Sequence, residues 1–309
     1  MRANMAAWTA LPLLLGLTAC DPEDFTGLRF NQDFHYSYPL KEGGRVSIDT
    51  FNGSVELTTW DQDTVDISGT KYGPTQAAAD ALRIDIADTP GSVAIRVARP
   101  SEFRGGRGAR FRVKVPRKTV LDEISTSNGA IQVAGGAGPA RLRTSNGAVR
   151  VNSVDGDLDL RTSNGSVEVA DITGEVVVHT SNGHIRLDNV RGGVQAGTSN
   201  ASITAIVGTN QDIRPIRLES SNGSIDLTLP ANLTSGVRAT TSNSGITLHL
   251  PGPLNARVAA RTSNASVSSD FEVRAEGETS KNHLEGVMGA GGPLLDLNTS
   301  NGSIRFLKM

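Results

Sequence analysis

Apolar and polar positions alternate in short runs through the middle of the chain. Val149 and Val151, Leu158 and Leu160, Val167 and Val169, Val176 and Val178, and Ile185 and Leu187 form successive pairs. Glycine separates the runs at 129, 138, 147, 156, 165, 174, 183 and 192, every ninth residue. Alternation over so few residues, closed by Asn-Gly or Thr-Gly, predicts a strand with one buried face. A longer period lies over this one. Thr-Ser-Asn recurs at Thr126-Ser127-Asn128, Thr144-Ser145-Asn146, Thr162-Ser163-Asn164, Thr180-Ser181-Asn182 and Thr198-Ser199-Asn200, a step of 18 residues. One unit is therefore two strands and two turns.

Two architectures accommodate that unit. Asn-Gly is a strong hairpin signal and allows an antiparallel meander. A meander needs a separate lid for its apolar face, and no other segment is long enough to supply one. In a β-solenoid each unit is a full coil whose two strands face each other, so Val167 and Val169 meet Val176 and Val178. Stacking also explains why the whole triplet repeats, because identical residues in successive coils form ladders whose Asn side chains hydrogen-bond along the stack. The expected fold is all-β: one parallel β-helix-like solenoid of 18–22-residue coils with two strands each. The expected structural ladder is Asn52, Asn128, Asn146, Asn164, Asn182, Asn200, Asn222, Asn243, Asn264 and Asn301, with Thr162 and its equivalents turned inward at the corner. A single coil buries too little to fold alone, and stacking supplies the rest.

The ends of the chain depart from the period. Residues 1–19 read as a signal peptide, since the apolar run Ala6–Leu17 is too short for a typical membrane span. It ends in Leu17-Thr18-Ala19-Cys20, which resembles the bacterial lipobox, and this implies lipidation of Cys20 and a membrane anchor; an ordinary cleaved signal peptide is the alternative. Residues 20–32 read as a tether. Residues 33–121 read as an N-terminal coil around Asn52-Gly53 plus a cap, with strands at 84–86, 93–97 and 111–115, and a short Ala-rich helix within 74–82. Solenoid repeats fill 122–309.

Composition narrows the chemistry. Cys20 is the sole cysteine, so disulfides and cysteine metal sites are excluded within one subunit. The net charge of −2 gives no sign of a nucleic-acid partner. The basic stretch Arg104–Arg110 reads as a solvated loop, with an anionic ligand as the minority reading. Beyond Asn200 the Asn steps lengthen to 22, 21, 21 and 37, and the extra residues fall at 207–214, 231–236, 252–255 and 271–293. All four lie at the turn opposite Ser-Asn. Insertions on one face are often the binding face, so Asn210, Asp212, Arg214, Asn232, Phe271, Arg274, Lys281 and His283 are the candidate partner-binding edge. Residues 271–293 have a competing role, as a cap over the open edge of the final coil and against self-association there.

Other motifs fall to the repeat itself. The Asn-x-Ser/Thr acceptor pattern at Asn52, Asn164, Asn200, Asn222, Asn232, Asn264 and Asn301 mostly restates the turns. A calcium roll needs Asp after paired glycines, whereas Ala148, Ser166 and His184 follow Gly147, Gly165 and Gly183; one weak site near Asp157 stays open. His179 and His184 both point outward without a third ligand. No aromatic lies between Arg112 and Asp270, so sugar-stacking platforms of a polysaccharide-cleaving enzyme are not evident there.

With the lipobox, the lead-in Gly43-Gly44-Arg45-Val46, the phrase Val113-Lys114-Val115-Pro116, the Thr-Ser-Asn-Gly coils and the closing Gly291-Gly292-Pro293-Leu294 to Asn301-Gly302-Ser303-Ile304, the chain resembles the bacterial "putative adhesin" family of β-strand-repeat lipoproteins. That family is largely a domain of unknown function. The resemblance implies an exported, envelope-anchored solenoid and carries over neither a catalytic residue nor a cofactor. The expected function is a non-enzymatic adhesion or interaction scaffold, with a protein or glycan partner. An enzyme acting on envelope polysaccharide, or an accessory to envelope-stress sensing, is the alternative.

Overall fold

The computed structural model describes residues 30–99, 106–209, 214–252, 254–277 and 279–309. The strands form two long sheets, one of thirteen strands and one of fourteen. Each coil gives one strand to each sheet, as Leu158–Arg161 and Val167–Thr173 do. Successive coils pair in parallel and in register: Val149, Val167 and Ile185 are opposite one another, as are Leu158, Val176 and Val194. These aliphatic side chains are buried in one continuous core. Each contributes roughly 2 kcal/mol by leaving water.

The compact corner explains the conserved spacing of the triplet along this chain. Thr144 Oγ1 donates to the Gly129 carbonyl at 3.0 Å and accepts from the Gly147 N–H at 3.2 Å. Thr162 and Thr180 repeat both bonds one and two coils on. The hydroxyl thus satisfies two backbone groups that the turn would otherwise bury unpaired. Glycine follows because nothing larger fits: a Cβ on Gly165 would stand 1.7 Å from the Gly147 carbonyl oxygen.

The opposite corner holds a feature the alternation does not predict. Ser153, Asp171 and Asn189 have φ of 58°, 55° and 52°. Each left-handed residue shifts the phase of its strand by one, so Val154, Ile172 and Val190 turn inward as a third buried row. Asn and Asp tolerate that conformation better than most residues, and Asn189 Nδ2 donates to Asp171 Oδ1 at 2.6 Å.

Chain order and spatial order diverge at both ends. The first coil, Arg45–Asp49 with Val55–Trp60, lies between Val120–Thr126 with Ile131–Ala134 on one side and Ser92–Val97 with Gly108–Pro116 on the other. The final coil, Leu294–Thr299 with Ile304–Lys308, is inserted between Val237–Thr240 with Ile246–Leu250 and Ala256–Thr262 with Val267–Ser269. The described residues make eleven coils, a stack about 48 Å long at about 4.8 Å per step.

Antiparallel segments close the stack. At the N-terminal end Thr64–Gly73 pairs with Gly108–Pro116, and Phe30–Pro39 pairs with Thr64–Gly73. The first strand thus begins at Phe30, inside the stretch read as tether. Ile84–Thr89 closes the other sheet. The helix is shorter than its Ala-rich sequence suggests, Gln76–Asp80, and Thr75 caps it by accepting from Ala78 N–H at 3.1 Å. At the C-terminal end His283–Met288 pairs antiparallel with Ala256–Thr262, and Arg274–Ala275 pairs beyond it.

Candidate functional site

The Asn residues form one unbroken ladder. Asn128 Nδ2 donates to Asn52 Oδ1, and the pattern repeats through Asn146, Asn164, Asn182, Asn200, Asn222 and Asn243 at 2.6–2.8 Å. Asn301 then donates to Asn243, and Asn264 to Asn301, following the spatial order of the coils. At the N-terminal end Asn52 donates to the Arg107 carbonyl at 3.0 Å. Every amide points the same way. The Ser beside each Asn, from Ser145 to Ser300, faces solvent, so the corner presents a row of hydroxyls next to a row of amides.

The described insertion residues sit at the turns that lead from the thirteen-stranded sheet to the fourteen-stranded one, opposite Ser-Asn, and most of them are engaged internally. Asn210 and Asp212 lie outside the described residues. Arg214 reaches back along the stack to Asp157 at 3.3 Å and Glu175 at 3.6 Å, over the backbone of Gly193. Asn232 is exposed on the turn between Ile225–Thr228 and Val237–Thr240. Phe271 packs against the core, Arg274 pairs with Glu276 at 3.2 Å, Lys281 accepts Val267 N–H on its carbonyl, and His283 faces Glu285 at 3.4 Å. These four belong to the C-terminal cap. The edge they cover is that of Ala256–Thr262, not that of the final coil, because the final coil is interior.

Two further expectations change. Asp157 Oδ1 accepts from Glu175 N–H at 2.7 Å and meets Arg214, so the position read as a weak calcium site is occupied by internal donors; among the described residues no His/Asp/Glu group has the makings of a metal site. The basic stretch read as a loop enters the strand Gly108–Pro116 at Gly108, where Arg110 is exposed and lies over the Tyr72 ring at 5.2 Å, while Arg104 lies outside the described residues.

The outer sheet faces carry charge in pairs that cross-link coils. A shallow groove of about 320 Å³ is lined by Glu56, Gln132, Arg150, Asn152, Glu168 and Arg186 among others. Arg150 donates to Glu168 at 3.1 Å, and Arg112 meets Glu56 at 3.6 Å. On the other sheet Asp159 sits among Arg161 at 3.0 Å, Arg141 at 3.6 Å and Arg143 at 3.9 Å. Near the N-terminal cap, hydrogen bonds from Arg117 hold the Asp61 carboxyl below the usual carboxylate range. His184, read as outward, is half-buried and bonded through Nδ1 to Ser202 Oγ at 2.8 Å.

Comparison with known proteins matches this architecture to a described domain. A comparison with curated proteins finds no match. Among solved structures, a "putative adhesin" from Bacteroides fragilis NCTC 9343 is 14% identical, with 89% of this chain and 97% of that one covered and a TM-score of 0.39. A "putative lipid binding protein" from Parabacteroides distasonis ATCC 8503 is 14% identical, with 89% and 96% covered and a TM-score of 0.48. A "putative adhesin" from Parabacteroides merdae ATCC 43184 is 14% identical, with 89% and 96% covered and a TM-score of 0.37. The profile of the Toastrack DUF4097 family matches residues 44–306, from the lead-in of the first coil to the last buried aromatic, and the chain belongs to that family.

Proposed function

We propose that the chain is an exported rod, tethered to the bacterial envelope through lipid on Cys20, that acts as a non-enzymatic adhesion or interaction scaffold. The observation that carries this reading is the unbroken Asn ladder. It fixes ten coils to one another and leaves a straight row of Ser hydroxyls and Asn amides exposed along the stack. Hydroxyl and amide rows hydrogen-bond to protein backbone or to sugar hydroxyls alike, and a rigid surface loses little entropy on binding. The insertion turns support the same conclusion, because Arg214 and the C-terminal cap residues are spent on internal contacts. The groove carboxylates are engaged by arginines, which favours display over acid–base cleavage of polysaccharide. Cys20 lies outside the described residues, and no described helix is long and apolar enough to cross a membrane.

The test uses residues 21–309, which contain every described strand, immobilised and exposed to envelope extracts. Ser163→Glu, Ser181→Glu and Ser199→Glu together should abolish capture. Thr204→Glu with Thr247→Glu, on an outer sheet face, should leave it intact. Capture indifferent to the serine row, or release of sugar fragments from envelope polysaccharide, would overturn the reading. For the anchor, Cys20→Ser should move the protein out of the membrane fraction or leave an unprocessed precursor.

A further inference from the structure

The two sheets have four outer edges among the described residues, and they are not alike. Three are short: Val267–Ser269, Arg274–Ala275 and Ile84–Thr89. The fourth is Phe30–Pro39, ten residues paired to Thr64–Gly73 without a register shift. An edge strand is ordinarily blunted by Lys, by a bulge or by being short. This one contains no Lys, no bulge, and Pro only at its last position.

Its side chains sort cleanly between two faces. Phe30, Gln32, Phe34, Tyr36 and Tyr38 share one face, on which Phe34 and Tyr38 pack against the core and Phe34 meets Phe111 edge-on at 5.3 Å. Phe30 and Tyr36 on that face remain 41% and 37% exposed, two of the four large apolar side chains so exposed among the described residues. The other face carries Asn31, Asp33, His35 and Ser37.

We propose that this edge pairs antiparallel with the same strand of a second copy, about a two-fold axis through Phe34. A two-fold axis perpendicular to the sheet keeps each face with its like, so it must pass through a residue rather than between two. An axis through Asp33 or through His35 would oppose two like groups. An axis through Phe34 sets Asp33 against His35 of the second copy, twice over by symmetry. It also sets Phe30 against Tyr38, Gln32 against Tyr36 and Asn31 against Ser37. Aromatic pairs across strands stabilise a sheet, and Asp33 then faces an imidazole instead of its own copy. Within each chain His35 stays bonded to Asp66 at 2.6 Å and Asp33 accepts from Thr70 at 2.7 Å. The two exposed aromatics gain cover, and the thirteen-stranded sheet continues into its twin. The two rods then point away from each other with their N-terminal ends at the junction. This inference does not depend on the adhesion reading.

Residues 21–309 hold no cysteine, which allows a register-specific test. Asn31→Cys with Ser37→Cys places two cysteines opposite each other across the axis, within the Cα separation a disulfide needs. The same two positions in one chain are six residues apart on an extended strand and cannot meet. On mild oxidation the double variant should run as a covalent dimer on a denaturing gel, while either single variant runs there as a single chain. Sedimentation should give a dimer for the unmodified chain at about 100 µM and a monomer for Tyr36→Lys. A monomeric unmodified chain, absence of cross-linking in the double variant, or equal cross-linking in the single variants would each overturn the proposal. The cysteine positions are both on the exposed face, so the result does not hinge on Tyr36→Lys folding normally.

Discussion

Single residues carry very different weight here, and position in the coil decides which. Gly165→Ala adds one methyl, yet that carbon would fall on the Gly147 carbonyl of the coil below. The coils would have to separate, so a melting-temperature loss of many degrees is expected, equivalent to more than about 3 kcal/mol. Gly91→Ala, with nothing near its Cβ, should melt within experimental error of the parent. The same contrast holds on the strand. Val169→Asp buries a carboxylate without a partner at a position 2% exposed and should cost several kcal/mol. Glu168→Lys next to it loses an exposed pair with Arg150 and should cost about 1 kcal/mol or less in urea titration. The inward row of Val149, Val151 and their equivalents was legible from alternation, because a period of two is unambiguous while it lasts. Val154, Ile172 and Val190 were not, because a left-handed residue breaks the period just before each one. A signal existed in the 18-residue recurrence of Ser153, Asp171 and Asn189, residue types at home in that conformation.

At the scale of elements, the corner and the cap are the parts whose removal should show. Thr162→Val keeps the shape but strips the hydroxyl that serves both the Gly147 carbonyl and the Gly165 N–H. Two buried backbone groups lose a partner, for an expected loss of about 2–4 kcal/mol in chemical denaturation. Thr64→Val, on an antiparallel strand outside the ladder, is the comparison and should cost less. Replacing residues 280–291 by a short Gly-Ser linker removes the strand His283–Met288 and bares the edge of Ala256–Thr262. Lower stability together with association beyond that of the unmodified chain in light scattering is the expected outcome. Unchanged stability and unchanged association would assign the segment to binding instead. The sequence left that segment open between a partner-binding edge and a cap, and the antiparallel pairing of His283–Met288 with Ala256–Thr262 is that of a cap. The sequence misassigned which edge is covered, because identical coils allow any one of them to stack on any other. Asn264 and Asn301 look alike in sequence, and only the three-dimensional order shows that Asn301 comes first.

For the whole molecule, the interior placement of both terminal coils changes how the stack can come apart. Chain ends ordinarily fray first. Here Leu295, Leu297, Ile304 and Phe306 are fully buried and paired on both sides with strands that precede them in the chain. Hydrogen exchange should therefore find amides of 294–307 among the slowest in the protein, and those of 267–269 among the faster strand amides. Fast exchange at 304–306 would contradict the interlocked arrangement. Folding follows the same constraint: the coil Ala256–Thr262 cannot take its final place until the last residues have arrived to fill the gap beneath it.

The Asn ladder also bears on how the protein ages. Seven of its members precede glycine, at 52, 128, 146, 164, 182, 222 and 301. In a flexible chain that pair is the one most prone to deamidation, because the glycine nitrogen reaches the side-chain carbonyl, a cyclic imide forms and ammonia departs. In the stack each such nitrogen from Gly147 to Gly183 is held by a threonine hydroxyl, and each departing amide is held by the neighbouring Asn. Cyclisation has to break both restraints. Once one rung converts, however, a carboxylate that can no longer donate faces the oxygen of the rung below, and the two adjoining turns loosen together. Chemical damage should then spread along the row from the first lesion, slowly in the intact protein and at every Asn-Gly at once in the unfolded chain, a difference that peptide mapping over weeks would resolve.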